Sequence, residues 1–261
     1  MLSLTFLPQT WATPKVAAYL IGPGSSVQAV KSALEAQGLQ VIAQHEMSKE
    51  GPLTTLVWTH AQLRAAAQKK GRGFAAVLRV LINGRKNEVR AQNPQYFLPA
   101  FLQKDNTPAV ADELTNKLSQ ALGKVTQSED ALPAKELAKY HYMMSMPYYE
   151  DTLELASGDN TELYQKLKSK SAKQILFDLD FGNGSRLLGL NMGPTVEKFI
   201  DTIGVDNAAL LPYTVLIEDG RATALHAKYY IALSYPALTM GQFMKIVNTP
   251  GAIEEALKNA F

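Results

Sequence analysis

The sequence predicts an α+β fold rich in antiparallel strands, with helices packed on a sheet in each of two similar halves. Three observations carry this. Strand patterns outnumber what a doubly wound fold would supply, hairpin turn signals recur, and the order of elements repeats. The 261 residues fit one large domain or two small ones. Either size buries about 70% of the unfolded surface, so size alone demands no metal or disulfide.

The first half reads as strand Val16–Ile21, helix Val27–Gln37, strands Leu39–Gln44 and Thr54–Thr59, helix Gln62–Lys70, strands Ala75–Ile82 and Glu88–Gln92, and helix Ala109–Leu122. Val27, Val30 and Leu34 keep helical spacing, Ser25 or Ser26 can cap that helix, and Gly38 sits just past its end. The second half reads as strand Tyr140–Met146, helix Thr161–Lys168, strands Gln174–Phe181 and Arg186–Asn191, helix Val196–Ile203, strands Tyr213–Glu218 and Ala222–Tyr229, and helix Gln242–Ala260 interrupted near Pro250. Asn183-Gly184 marks a hairpin between Ile175–Phe181 and Arg186–Leu190, because that pair readily adopts positive φ.

The duplication is read from matched landmarks. Val80-Leu81-Ile82 precedes the turn Asn83-Gly84, and Val215-Leu216-Ile217 precedes Asp219-Gly220. Asn106-Thr107-Pro108 and Asn248-Thr249-Pro250 each open a late helix, where a first-turn proline loses no intrahelical hydrogen bond. The polar stretch 124–134 between the halves reads as a linker. The division is therefore residues 13–123, linker 124–134 and residues 135–261.

The succession Leu187-Leu188-Gly189-Leu190-Asn191, a helix beginning near Pro194, then Leu210-Leu211-Pro212-Tyr213-Thr214-Val215-Leu216-Ile217-Glu218 with Asp219-Gly220 resembles the bacterial domain of unknown function 302. The first half resembles it more loosely, through Leu34–Gly38, Val41-Ile42, Leu56–Thr59, Val77–Ile82 and Asn93-Pro94. The resemblance implies a compact α+β fold in two tandem copies and no mechanism; relatives with a single copy look like dimers, which would make the fused pair an internal pseudo-dimer. Relatives can show Leu-Pro-Cys where this chain has Leu211-Pro212-Tyr213, so a role resting on that cysteine does not transfer.

Composition excludes several functions. With no cysteine, thiolate nucleophiles, disulfides, Cys-ligated zinc and iron–sulfur clusters are ruled out. A net charge of +2, from 26 basic and 24 acidic residues, gives no nucleic-acid footprint, and no apolar run is long enough to span a membrane. Residues 1–12 read either as a signal-peptide remnant ending at Ala12 or as an N-terminal strand. The first points to a periplasmic or secreted protein, the second leaves the cytoplasm open.

Each chemical candidate has a plainer reading. His141, Met143, Met144 and Met146 suit Cu(I), yet as a strand they split between two faces and read as core. Met240 and Met244 share a helix face and could join them, or be that helix's core side. Asp178 and Asp180 point to one face and could hold a cation or proton, or simply be solvated. His226, placed opposite Arg90 in the repeat, reads as an exposed strand residue, and His45 and His60 lack companions. Gly22-Pro23-Gly24-Ser25-Ser26 lacks the lysine of a phosphate loop and reads as a turn with a serine cap. Lys69-Lys70-Gly71-Arg72 is a charged helix end.

The reading is a non-enzymatic tandem-repeat binding or interaction protein, with no cofactor and an unidentified small-molecule or protein partner. Tyrosines near Tyr140–Tyr149 and Tyr229–Tyr235 suggest an interface, with Tyr148-Tyr149 exposed. One alternative is a small-molecule binder or enzyme with a pocket between the halves using Asp178, Asp180, His226 or Tyr213; another is a periplasmic copper-binding protein.

Overall fold

The computed structural model describes residues 14–47 and 53–261, so the segment 1–12 lies outside the described residues. The first half runs β1 (Lys15–Ala17), β2 (Tyr19–Pro23), α1 (Val27–Ala36), β3 (Gln40–Glu46), β4 (Leu53–Thr59), α2 (Ala61–Ala67), β5 (Leu78–Asn83), β6 (Glu88–Gln92), α3 (Pro94–Leu102) and α4 (Pro108–Leu122). Two short strands follow, β7 (Thr126–Gln127) and β8 (Ala131–Pro133). The second half runs β9 (Leu153–Ser157), α5 (Asn160–Ser171), β10 (Ile175–Asp180), β11 (Arg186–Leu190), α6 (Pro194–Ile203), β12 (Tyr213–Glu218), β13 (Arg221–Ala224), α7 (Ala227–Ser234), α8 (Met240–Lys245) and α9 (Thr249–Ala260).

The fold is α+β. The first sheet has order β3-β4-β5-β6-β2-β7 and the second β10-β11-β12-β13-β9, and every adjacent pair is antiparallel. Apart from β7, the two orders are the same when elements are numbered within each half. Val80 pairs with Leu56 and Ala91, as Val215 pairs with Leu188 and Ala224. Even the irregularity is shared: the register slips between Val41 and Ala43 on β3, and between Ile175 and Phe177 on β10. A bulge inserts an unpaired residue and bends its strand, so its matched place is a specific feature.

Local chemistry explains most elements. Ser26 accepts from Ala29 N–H to cap α1, and Asp159 accepts from Thr161 and Glu162 N–H to cap α5. All of β4 and β5 is buried, as central strands covered on both faces require, whereas edge strand β10 alternates Phe177 and Leu179 inward with Asp178 and Asp180 outward. The β10–β11 hairpin forms with Gly182 and Gly184 at positive φ in its connection. Gly189 lies opposite Phe177, and a Cβ there would sit 2.1 Å from the Phe177 ring, so only glycine admits that contact.

The halves are joined by exchange. The 3₁₀ turn Gly73–Ala76 packs on β11 and β12, and the 3₁₀ turn Val205–Leu210, at the corresponding place, packs on β4, β5 and β6. Asn83, ending β5, donates to Asp206 at 3.3 Å, and Glu218, ending β12, accepts from Gly71 N–H at 2.7 Å. Edge strands β3 and β10 also approach one another.

Four expectations need correction. Residues 140–146 form no strand; Met146 N–H bonds Met143 O at 3.0 Å and Ser145 takes φ +72°, which makes a tight turn. The opening strand of the second half is β9 instead. The predicted strand Ala222–Tyr229 stops at Ala224, because His226 accepts from Lys228 N–H and starts α7. His226 therefore matches Asn93, which caps α3 through Gln95 N–H, while Arg90 matches Thr223. The stretch 124–134 is no free tether: β7 extends the first sheet beside β2, and β8 pairs with β1.

Candidate functional site

Several of the polar and aromatic residues singled out above hold the halves together. Tyr96 OH donates to Leu233 O and Tyr149 OH to Gly71 O, each at 2.7 Å across the seam, while Tyr140 OH donates to Ala232 O at 3.1 Å within the second half. Phe101 lies 6.1 Å from both Tyr149 and Tyr230, and Tyr19 stacks on Tyr235. Arg79 is only 2% exposed and, among the described residues, has no carboxylate partner; it donates to Pro212 O at 2.7 Å and lies over the Tyr230 ring. A carbonyl and a π face partly replace the water that such a cation loses. Asp130, whose carboxyl burial raises above the usual range, bonds Arg90 at 2.9 Å and Ala237 N–H at 3.2 Å, clamping the 124–134 segment to both halves. Lys70 pairs with Asp219, and Arg72 lies over Tyr149, so the basic helix end also bridges halves.

The predicted ligand residues are not brought together. Tyr213 is fully buried, its OH donating to Leu225 O at 2.6 Å, and burial pushes the phenol well above its usual value. Asp178 accepts from Tyr164 OH at 2.6 Å, and Arg186 bonds both Asp178 and Asp180 while covering the Tyr164 ring at 4.3 Å. These carboxylates thus share one guanidinium on the outer face of an edge strand. His226 lies three strands away, half-buried beside a void of about 10 Å³ lined by Leu153, Ile253 and Leu257, too small for a ligand. His60 caps α2 through Gln62 N–H. His45 is buried at 3.4 Å from Glu197 of the other half. Gly24 in the glycine turn packs on Asn87, where a Cβ would sit 2.1 Å from Oδ1, so its glycine serves close packing. Among the described residues no group of three or more His, Asp or Glu could hold a metal ion. No helix among them is long and apolar enough to cross a membrane.

What remains is one surface. Among the described residues the exposed large hydrophobic side chains are Met143, Met144, Tyr148, Met240, Met244 and Val247. All six come from two segments, the 140–149 loop and α8 with the turn after it. The two touch through the stacked rings of Tyr142 and Phe243, 6.3 Å apart. Met144 at the turn apex is 88% exposed and Met244 is 57% exposed, so the expectation that both methionine groups fill the core is overturned. Tyr148 is exposed as expected, but Tyr149 beside it is buried in the seam.

His141 is fixed within this loop. Its Nδ1 lies 3.0 Å from Met143 O, and its ring sits 4.3 Å from Tyr148. The same residue borders an open groove of about 580 Å³ lined by Leu132, Lys135, Glu136, Lys139, Tyr140, Tyr142 and Pro236. Helix α8 belongs to the second half alone: where it lies, the first half has only the 3₁₀ turn Gln103–Asp105 between α3 and α4. The missed signal in the sequence was Thr239, which forms a capping box with Gln242 and makes α8 a separate helix from α9. Comparisons with protein-family models, with curated proteins and with solved structures returned no match.

Proposed function

We propose that the protein is a non-enzymatic tandem-repeat binding or interaction protein, built as an internal pseudo-dimer, whose docking face is the methionine-rich surface of its second half. One observation carries the reading: the exposed large hydrophobics of the described residues all belong to two touching segments, residues 140–149 and 240–247. Leaving a methionine in water forgoes about 1.5 to 3 kcal/mol of burial, and unbranched thioether chains adapt to a partner's surface. Of the tyrosines that suggested an outward interface, Tyr149, Tyr230 and Tyr235 are buried against the first half, while Tyr148 stays exposed on this face. The reciprocal packing of the two 3₁₀ turns supports the pseudo-dimer, and the shared strand order supports the two-copy reading.

The test places a photo-crosslinking phenylalanine derivative at position 144 or 244 in cells, with position 35 on α1 as the control. The reading expects a discrete adduct from 144 and 244 and none from 35. Equal adducts at all three positions, or none, overturn it. A second reading, a small-molecule binder, rests on the groove beside Tyr140 and His141, where Lys135 and Lys139 favour an anionic ligand. It is tested by soaking crystals with anionic aromatic compounds, and an empty groove throughout rejects it.

A further inference from the structure

We infer that the turn 141–146 is a binding site for Cu(I), with His141 Nε2 and the thioethers of Met143 and Met146 as its donors. This rests on the reading of the same face as a binding surface and names a ligand for it. The geometry starts from a single carbonyl. Met143 O receives both Met146 N–H, at 3.0 Å, and the His141 ring at Nδ1, also at 3.0 Å. A carbonyl carries no proton, so Nδ1 must be the protonated nitrogen and Nε2 of the neutral ring keeps its lone pair. Metal-ligating imidazoles are commonly oriented by this same bond to a backbone carbonyl. Contact with the Tyr148 ring, at 4.3 Å and tilted by 39°, further restrains the imidazole.

The turn then sets the sulfurs. Residues at the two ends of a hydrogen-bonded β-turn have Cα atoms less than about 7 Å apart, and Met143 and Met146 are those ends. Ser145 holds the turn closed at φ +72°. Each methionine has three rotatable side-chain bonds, enough for both sulfurs to converge on one ion beside the imidazole. Two thioethers and an imidazole form a soft, uncharged set that favours Cu(I) and offers little to Zn²⁺, Mg²⁺ or Ca²⁺. The chain has no cysteine to compete for the ion. Met144 is the turn's exposed apex and is left out of the donor set.

The test is an anaerobic titration of the purified full-length chain with Cu(I) against a chromophoric chelator. One equivalent should transfer to the protein. Met143→Leu with Met146→Leu keeps the apolar surface but removes both sulfurs, and should weaken binding by about tenfold or more, as should His141→Gln. Met240→Leu with Met244→Leu should leave the affinity unchanged. Methyl-labelled methionine spectra with Ag(I) as a diamagnetic stand-in should shift the Met143 and Met146 signals. No transfer from the chelator, or undiminished binding in the Met143/Met146 variant, overturns the inference. Leucine preserves a hydrophobic docking face, so loss of Cu(I) binding with crosslinking intact, or the reverse, shows which of the two readings has failed.

Discussion

Replacing Gly73 with alanine tests whether the halves are held by the close exchange of their 3₁₀ turns. Gly73 has no left-handed φ, so alanine fits its backbone, and on conformational entropy alone the change would stabilise by about 0.4 to 1 kcal/mol. The added Cβ, however, would sit 2.3 Å from Leu216 Cδ1, 2.9 Å from Cδ2 and 3.1 Å from Cγ. Carbon contacts are optimal at about 3.5 to 4.0 Å. Leu216 is buried on central strand β12 and has no solvent to swing into. Overpacking of this kind costs about 1 to 3 kcal/mol, which outweighs the entropic gain. Leu216→Ala alone should cost about 2 to 5 kcal/mol, but in the double variant the new methyl enters the vacated space. The pair should then be less destabilising than the sum of the singles by about 1 to 3 kcal/mol. Urea unfolding followed by the fluorescence of buried Trp58 and by far-UV circular dichroism measures all four corners. A neutral or stabilising Gly73→Ala, or strict additivity, would refute the contact.

Three further outcomes follow from the same structure. His60 and His226 each accept a backbone N–H at Nδ1, and burial first, then Lys117 or Lys228 respectively, holds each imidazole below its ordinary value. A folded-state value below the unfolded one means the contribution is present above about pH 6.5 and is lost as pH falls toward the folded value. His60→Asn with His226→Asn, which copies the Asn93 cap, should make the urea midpoint less dependent on pH below 6.5; an unchanged slope would contradict the capping role. Tyr96→Phe leaves the buried Leu233 carbonyl without its donor and should cost about 1 to 3 kcal/mol, whereas Tyr148→Phe at the surface should stay within about 0.5, and equal effects would remove the seam argument. Met144→Glu and Met244→Glu should each change unfolding free energy by no more than about 0.5 kcal/mol while abolishing crosslinking from the neighbouring positions. A large loss of stability would mean that these side chains are packed.

The parts legible in the sequence are those with local causes. The β10–β11 hairpin followed from Asn183-Gly184, and helix starts followed from Ser26 and from Pro108 and Pro194. Helix α3 was not legible, because seven of its nine residues are buried and an apolar run without a polar face has no helical period to detect. Helix α7 was hidden in the same way, every residue but Lys228 being buried. The alternation in His141–Met146 imitated a strand, and only the Met143–Met146 hydrogen bond shows a turn. Asp178 and Asp180 were correctly placed on one face, but Tyr164, which bonds Asp178, comes from α5, fourteen positions before it.

The sequence by itself determined the α+β class and most of the strands and helices that the two halves share, because turns, caps and hydrophobic period act over a few residues. Only the tertiary structure decided which groups face the other half and which face water. Tyr96 and Tyr149 go inward because their hydroxyls meet backbone carbonyls across the seam. Met144 and Met244 stay outside because the turn and the short α8 stand at the surface of the second half, where no described element covers them. A thioether at a given spacing reads the same in either place; what it packs against is set by chain segments far from it in the sequence.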